Sequence, residues 1–191
     1  FYASVEERDD PSLKGRALVV GADPRGGQGR GVVCTASYEA RKFGIKSAMP
    51  ISQAWRLAPH ATYIRPDFSK YGPASRAVME ILRRYADVLE VVGMDEAYLD
   101  VTERVRGDDG EPNWDTALSL ARSLQAAVAR ELKLSCSVGA APSKSVAKVA
   151  SDRRKPHGVT MVRPDDVLAF LAPLAPGKLN GCGPKTAAAL R

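Results

Sequence analysis

Apolar and polar positions alternate along this chain in blocks that change period, and the changes predict where strands give way to helices. Residues 17–20, Ala-Leu-Val-Val, and 31–35, Gly-Val-Val-Cys-Thr, are short runs rich in β-branched side chains, separated by the glycine-bearing segment 22–30. That pattern predicts strand, loop, strand. A helix is expected over 37–43 with Gly44 as its stop, and another opens at Pro50 and runs to Leu57, ahead of Pro59. Residues 71–85 carry Val78, Ile81 and Leu82 on one face of a third helix. Two apolar runs, 88–94 and 97–101, then flank an acidic step and read as a hairpin.

Beyond the hairpin, residues 104–113 have the composition of a mobile loop. The periodicity of 114–132 predicts a long helix, and 134–139 alternates as a strand. Ser143 is placed to cap a helix that carries Lys144 and Lys148 four residues apart and ends before Pro156. Residues 158–162 form another strand, and the composition turns Pro- and Leu-rich after a boundary near Arg163. Strands interleaved with helices and hairpins predict an α+β fold with a mixed or antiparallel sheet flanked by helices.

The chain has 191 residues, 45% of them hydrophobic and 26% charged, which suits one large or two small globular units. Lys and Arg number 28 against 22 Asp and Glu, a formal charge of +6 that favours a polyanionic partner without naming one. Cys34, Cys136 and Cys182 have no paired spacing and read as small apolar residues in a reducing compartment. No run reaches the roughly 18 apolar residues of a membrane span, so no membrane partner is expected. The first and last segments, 1–6 and 187–191, read as elements cut in mid-course, and a fragment is the expectation.

Several stations carry candidate chemistry. Asp95 and Glu96 are adjacent, and neighbouring side chains of a regular strand diverge, so both reach one ligand only where the chain bends. Gly93 supplies a bend. Two ionised carboxylates held together call for a divalent cation or a cationic partner, so the pair reads as half of a magnesium site; a polar hairpin turn is the alternative. Tyr38 and Arg41 lie three residues apart on one helix face and suit phosphate oxygens, or are ordinary helix surface. Residues 151–158, Ser-Asp-Arg-Arg-Lys-Pro-His-Gly, concentrate positive charge that is otherwise a solvated run. The glycine loop 26–31 lacks the Gly-Lys-Ser/Thr ending of a Walker loop and opens no helix. Residues 179–186 form a glycine hairpin whose free amides could hold a backbone phosphate, or are a plain helix connection. His60 and His157 have no partner spacing.

Five segments in order, Phe-Tyr-Ala-Ser-Val-Glu at 1–6, Thr-Ala-Ser-Tyr-Glu-Ala-Arg-Lys-Phe-Gly at 35–44, Met-Asp-Glu-Ala-Tyr-Leu-Asp at 94–100, Ala-Ser-Asp-Arg-Arg-Lys-Pro-His-Gly at 150–158 and Gly-Cys-Gly-Pro-Lys-Thr-Ala at 181–187, resemble the Y-family of lesion-bypass DNA polymerases. The resemblance implies a palm edge and fingers over 1–66, a palm over 67–162 and the start of a thumb with a helix-hairpin-helix over 163–191. It implies that Asp95 and Glu96 are catalytic and bind two Mg2+ ions, and that Tyr38, Arg41 and Lys155, with Thr35, hold a triphosphate. Phe1 and Tyr2 match the aromatic pair under the incoming sugar, Tyr2 as the steric gate against a ribose 2'-hydroxyl. Val32, Cys34 and Ala48 match the small residues over the nascent base pair. Lys144, Lys148, Gly181 and Gly183 would meet the DNA backbone.

The implied function is template-directed translesion synthesis, with primer-template DNA and a deoxynucleoside triphosphate as partners, a sliding-clamp contact beyond this sequence, and a cytoplasmic, nucleoid-associated location. Family members carry a further metal-binding aspartate just ahead of the Phe-Tyr pair, and a little finger after the thumb. Neither lies in this sequence, so these 191 residues alone are expected to be inactive or nearly so. Two rivals are a non-catalytic DNA-binding homologue, which would need none of the five phosphate and metal residues, and a nucleotidyl cyclase, which would not need the glycine hairpin.

Overall fold

A computed structural model describes residues 1–190, and the chain divides into two compact units, Phe1–Ala77 and the remainder from Val78. In the first, α1 (Tyr2–Asp9) precedes β1 (Leu18–Gly21), β2 (Val33–Ala36), α2 (Tyr38–Arg41), α3 (Ile51–Leu57) and β3 (Thr62–Ile64). β1 is central: β2 pairs with it antiparallel and β3 parallel, giving a mixed sheet in the order β2-β1-β3. All of β1 is buried, as expected of a central strand whose faces are both covered. Val19, Val33, Ile45 and Ile51 lead a core completed by alanines at 36, 40, 54, 58 and 61, and these small side chains let backbone elements pack closely.

The glycine loop between β1 and β2 is a folded turn. A Cβ on Gly29 would stand 2.0 Å from the Asp23 carbonyl oxygen, and one on Gly27 3.0 Å from the Trp55 ring. Gly27 and Gly29 therefore serve close packing, in keeping with the absence of a Walker ending.

α4 (Phe68–Arg83) begins in the first unit and ends in the second. It starts earlier than the hydrophobic pattern indicated, because Asp67 accepts from the Ser69 amide at 3.0 Å and opens the helix ahead of Pro73. The second unit holds the antiparallel hairpin β4 (Val88–Val91) and β5 (Ala97–Asp100), then α5 (Trp114–Leu132), β6 (Val138–Ala140), α6 (Lys144–Arg153), β7 (Val159–Met161), α7 (Val167–Leu171) and α8 (Pro184–Ala189). β6 and β7 are parallel neighbours joined through α6. α5 matches its expected bounds. The Asn113 side chain accepts from the amides of Asp115 and Thr116, the buried face is Ala117, Ala121, Leu124 and Val128, and Lys133 closes the helix in the left-handed region at φ 55°.

Several expected elements are shorter than the pattern indicated, and α1 and β3 were not expected. The helix over 37–43 is one α-helical turn; its continuation tightens, with Phe43 N bonded to Ala40 O and Gly44 N to Arg41 O, each three residues back. The strand over 134–139 is confined to β6, since the Cys136 carbonyl accepts from the Gln125 side chain at 2.9 Å instead of from a strand. α1 and β3 carried too little periodicity to be read.

Candidate active site

The carboxylate pair stands where the β4–β5 hairpin turns. Val92 N and Gly93 N both donate to the Glu96 carbonyl, at 3.0 and 3.1 Å, which closes the turn and leaves Asp95 at its bend and Glu96 at the mouth of β5. Both side chains are exposed. The bend expected at Gly93 is present, and the divergence imposed by a straight strand is relieved there.

α6 brings cations to the same hairpin. Ser143 caps the helix by accepting from Val146 N, and the buried Val146, Val149 and Ala150 seat its inner face. Its outer face then presents Lys148 to Glu96, with which it forms an ion pair, and Lys144 to Glu90, likewise paired; the Lys144 ammonium also lies 5.7 Å from the centre of the Tyr98 ring. Burial acts to lower the Lys148 pKa, but the Glu96 hydrogen bond and charge outweigh it and the net shift is upward. The two lysines expected at a DNA backbone are thus engaged with acids of the hairpin in this structure. Asp100, last in the acidic motif, serves locally. It accepts from the hydroxyl of Thr102 at 2.7 Å and from its amide at 3.0 Å, and these bonds lower its pKa.

Lys155 follows α6 and is paired with Asp152 at 2.5 Å. Gly181 turns the chain at φ 79° and Gly183 stands at the N-cap of α8. Residues 177–183 line one side of a groove of about 490 Å³, with Lys148 and Asp152 of α6 on the other.

In the first unit, Thr35 lies on β2, and Tyr38 and Arg41 lie at the two ends of α2. This single turn is fixed to the sheet by Ser37, which is 4% exposed: its hydroxyl accepts from Ala40 N at 3.2 Å and Leu18 N at 3.0 Å and donates to Arg16 O at 3.2 Å. Arg41 Nε donates to the Ala36 carbonyl at 3.0 Å, so the guanidinium is oriented by β2 while its residue stays exposed. Phe1 and Tyr2 pack as an aromatic pair with ring centres 5.9 Å apart. A buried Glu6 beneath them, in contact with Lys70 and Tyr71, was not singled out from the sequence. A lone acid one turn along a helix reads as solvent-facing.

As a donor set, Asp95 and Glu96 are hard oxygen ligands of the kind magnesium takes. They stand as a pair: among the described residues no group of three or more Asp, Glu, His or Cys side chains is gathered as a metal centre. No helix among them is long and apolar enough to cross a membrane.

Comparison with known proteins establishes the family and the fold. The impB/mucB/samB family profile matches residues 1–152, and the chain belongs to that family. DNA polymerase IV of Methanoculleus marisnigri is 51% identical over 191 residues, covering 100% of this chain and 51% of that protein. DNA polymerase IV of Lactococcus lactis subsp. cremoris is 47% identical over 186 residues, 97% of this chain and 50% of that protein. The chain therefore spans about half the length of the curated relatives it matches. Among solved structures, the insertion ternary complex of Dbh DNA polymerase superposes with a TM-score of 0.89 at 39% identity, covering 100% of this chain and 54% of that one. DinB from Sulfolobus solfataricus gives 0.89 at 39%, covering 100% and 53%. The α+β fold and the Y-family resemblance expected from the sequence are borne out.

Proposed function

We propose that the protein containing this chain is a template-directed DNA polymerase of translesion synthesis, which transfers a deoxynucleotide to a primer 3'-hydroxyl. The observation that carries this reading is the match across the whole chain to DNA polymerase IV of M. marisnigri. The site chemistry supports it. The primer hydroxyl attacks the α-phosphate and pyrophosphate leaves, so catalysis is a matter of positioning and of neutralising charge on the phosphate oxygens.

In this reading Asp95 and Glu96 hold two Mg2+ ions. When bound, such ions lower the pKa of the attacking hydroxyl and stabilise the leaving oxygens. Arg41, with its Nε oriented by Ala36, offers its remaining donors to the triphosphate, beside the Tyr38 hydroxyl, with Thr35 and Lys155 assisting. Lys155 exchanges Asp152 for a phosphate when nucleotide binds, and Lys148 and Lys144 exchange Glu96 and Glu90 for the DNA backbone. Gly181 and Gly183 offer backbone amides to the same strand. Phe1 and Tyr2 lie under the incoming sugar. Residues 1–66, 67–162 and 163–191 serve as palm edge with fingers, palm, and start of the thumb. A sliding-clamp contact and a nucleoid location belong to the same reading.

The test is primer extension past an abasic site, with magnesium, by the complete gene product that contains this sequence. Templated incorporation is expected. A product that binds primer-template but adds no nucleotide would overturn the reading in favour of a non-catalytic homologue.

A further inference from the structure

Glu6 is a carboxylate on α1 with 3% of its surface exposed, and a buried charge is costly unless its partners repay the lost hydration. Its two oxygens are both engaged: Oε1 accepts from the Tyr71 phenol at 2.6 Å and Oε2 from the Lys70 ammonium at 2.9 Å. Tyr71 is itself fully buried. Burial and the neighbouring carboxylate push its pKa upward, so the phenol remains a donor.

The other face of Tyr71 leads to the proposed site. Its ring stacks on Tyr2 with centres 4.3 Å apart and planes 12° from parallel, and Phe68 packs edge-on against both rings at 5.8 Å. Tyr2 and Glu6 are one helical turn apart on α1, so one short helix carries both the outermost ring and the acid that anchors the ring beneath it. A stacked pair alone can slide and tilt. A charge-assisted hydrogen bond at the far end of the lower ring removes that freedom.

We propose that Glu6 and Tyr71 are positioning residues for sugar selection: the buried carboxylate fixes the Tyr71 ring, and that ring holds Tyr2 so that it cannot recede from a ribose 2'-hydroxyl. This rests on the proposed role of Tyr2 as the steric gate. Neither Glu6 nor Tyr71 touches the nucleotide in this scheme; each acts through Tyr2. A simple tie between α1 and α4 would need no ionised group, since an apolar pair of similar volume would join them with less desolvation.

The experiment compares kcat/KM for a deoxynucleotide and its ribonucleotide in the complete gene product, alongside the thermal midpoint of each variant. Tyr2→Ala sets the scale, with the largest loss of discrimination. Tyr71→Phe keeps the stacked ring and removes the phenol, and is expected to relax the ratio about fivefold, the weight of one lost hydrogen bond, through a rise in ribonucleotide insertion. Glu6→Ala should behave likewise, and Glu6→Gln, which retains an acceptor for the phenol, should stay within about twofold of the parent. The inference is overturned if Tyr71→Phe lowers the thermal midpoint or both rates together while the ratio holds. Should Glu6→Ala fail to fold, Tyr71→Phe decides. Unchanged discrimination in Tyr2→Ala removes the gate reading itself, and this inference with it.

Discussion

Asp95 and Glu96 are neighbours in sequence but have different surroundings, and that difference makes them separable. Glu96 is paired with Lys148, whereas Asp95 sits at the exposed bend. Asp95→Asn should therefore change stability by less than about 0.5 kcal/mol, as exposed substitutions do. Magnesium-dependent extension should fall by about a hundredfold or more, because the proposed metal ligand is lost. Glu96→Gln should cost as much activity and also deprive Lys148 of its partner. Paired measurements of extension and urea unfolding check both, and activity retained in Asp95→Asn would remove it from the metal site.

The cysteines give a residue-scale test independent of function. Burial pushes the Cys136 thiol from 9.0 up to about 11, while Cys34 is exposed. Iodoacetamide at pH 8 should label Cys34 about tenfold faster or more, since access and thiolate together govern the reaction. A folded pKa raised above the unfolded one favours the folded state fully below pH 9 and loses that contribution as pH rises through about 11. The unfolding free energy should drop over that window by at most about 2–3 kcal/mol relative to Cys136→Ala. A parallel pH profile for the two proteins would show that Cys136 is not buried as described.

At the scale of elements, what could be read from the sequence depended on whether the signal was local. α5 was legible because Asn113 caps it and its buried positions recur at helical spacing. The hairpin and its acids were legible because an adjacent acidic pair between apolar runs demands a turn. β3 was not, being three residues whose strand character comes from pairing with β1, far away in the chain. Nor was Glu6, whose burial depends on Tyr71, 65 positions on. α2 was read too long because Gly44 marks the end of the tightened turns, not of the α-helix.

Close packing of backbone on backbone predicts a glycine whose replacement is costly. Gly139 lies in β6 against α6, and a Cβ there would stand 2.0 Å from the Ala147 carbonyl oxygen and 2.5 Å from Ser151 N, both backbone atoms that cannot swing aside. Gly139→Ala should destabilise the protein by about 2–3 kcal/mol through forced separation of strand and helix. Because α6 carries Lys144 and Lys148, the lysines proposed to meet the DNA backbone, DNA affinity should fall with it. An unfolding midpoint within error of the parent would contradict this packing, and Gly93→Ala, with open space around its Cβ, is the matched control.

At the scale of the whole chain, the net charge of +6 predicts that, in the proposed role, DNA affinity falls steeply with salt, through release of counterions from the phosphates. The lysines on α6 make that prediction sharper. An unpaired lysine that meets a phosphate adds roughly 0.9 to the slope of log affinity against log salt. Lys148 and Lys144 already neutralise Glu96 and Glu90, so moving to the DNA leaves a carboxylate that takes up a cation from solution as the DNA releases one. Lys148→Ala and Lys144→Ala should then weaken binding yet lower the slope by clearly less than the roughly 0.9 of an unpaired lysine. Fluorescence anisotropy with a labelled primer-template, from about 50 to 200 mM salt, measures this directly. A full-unit drop for either variant would mean that the lysine stands apart from the hairpin acids in solution. An unchanged affinity would take it out of the DNA interface altogether.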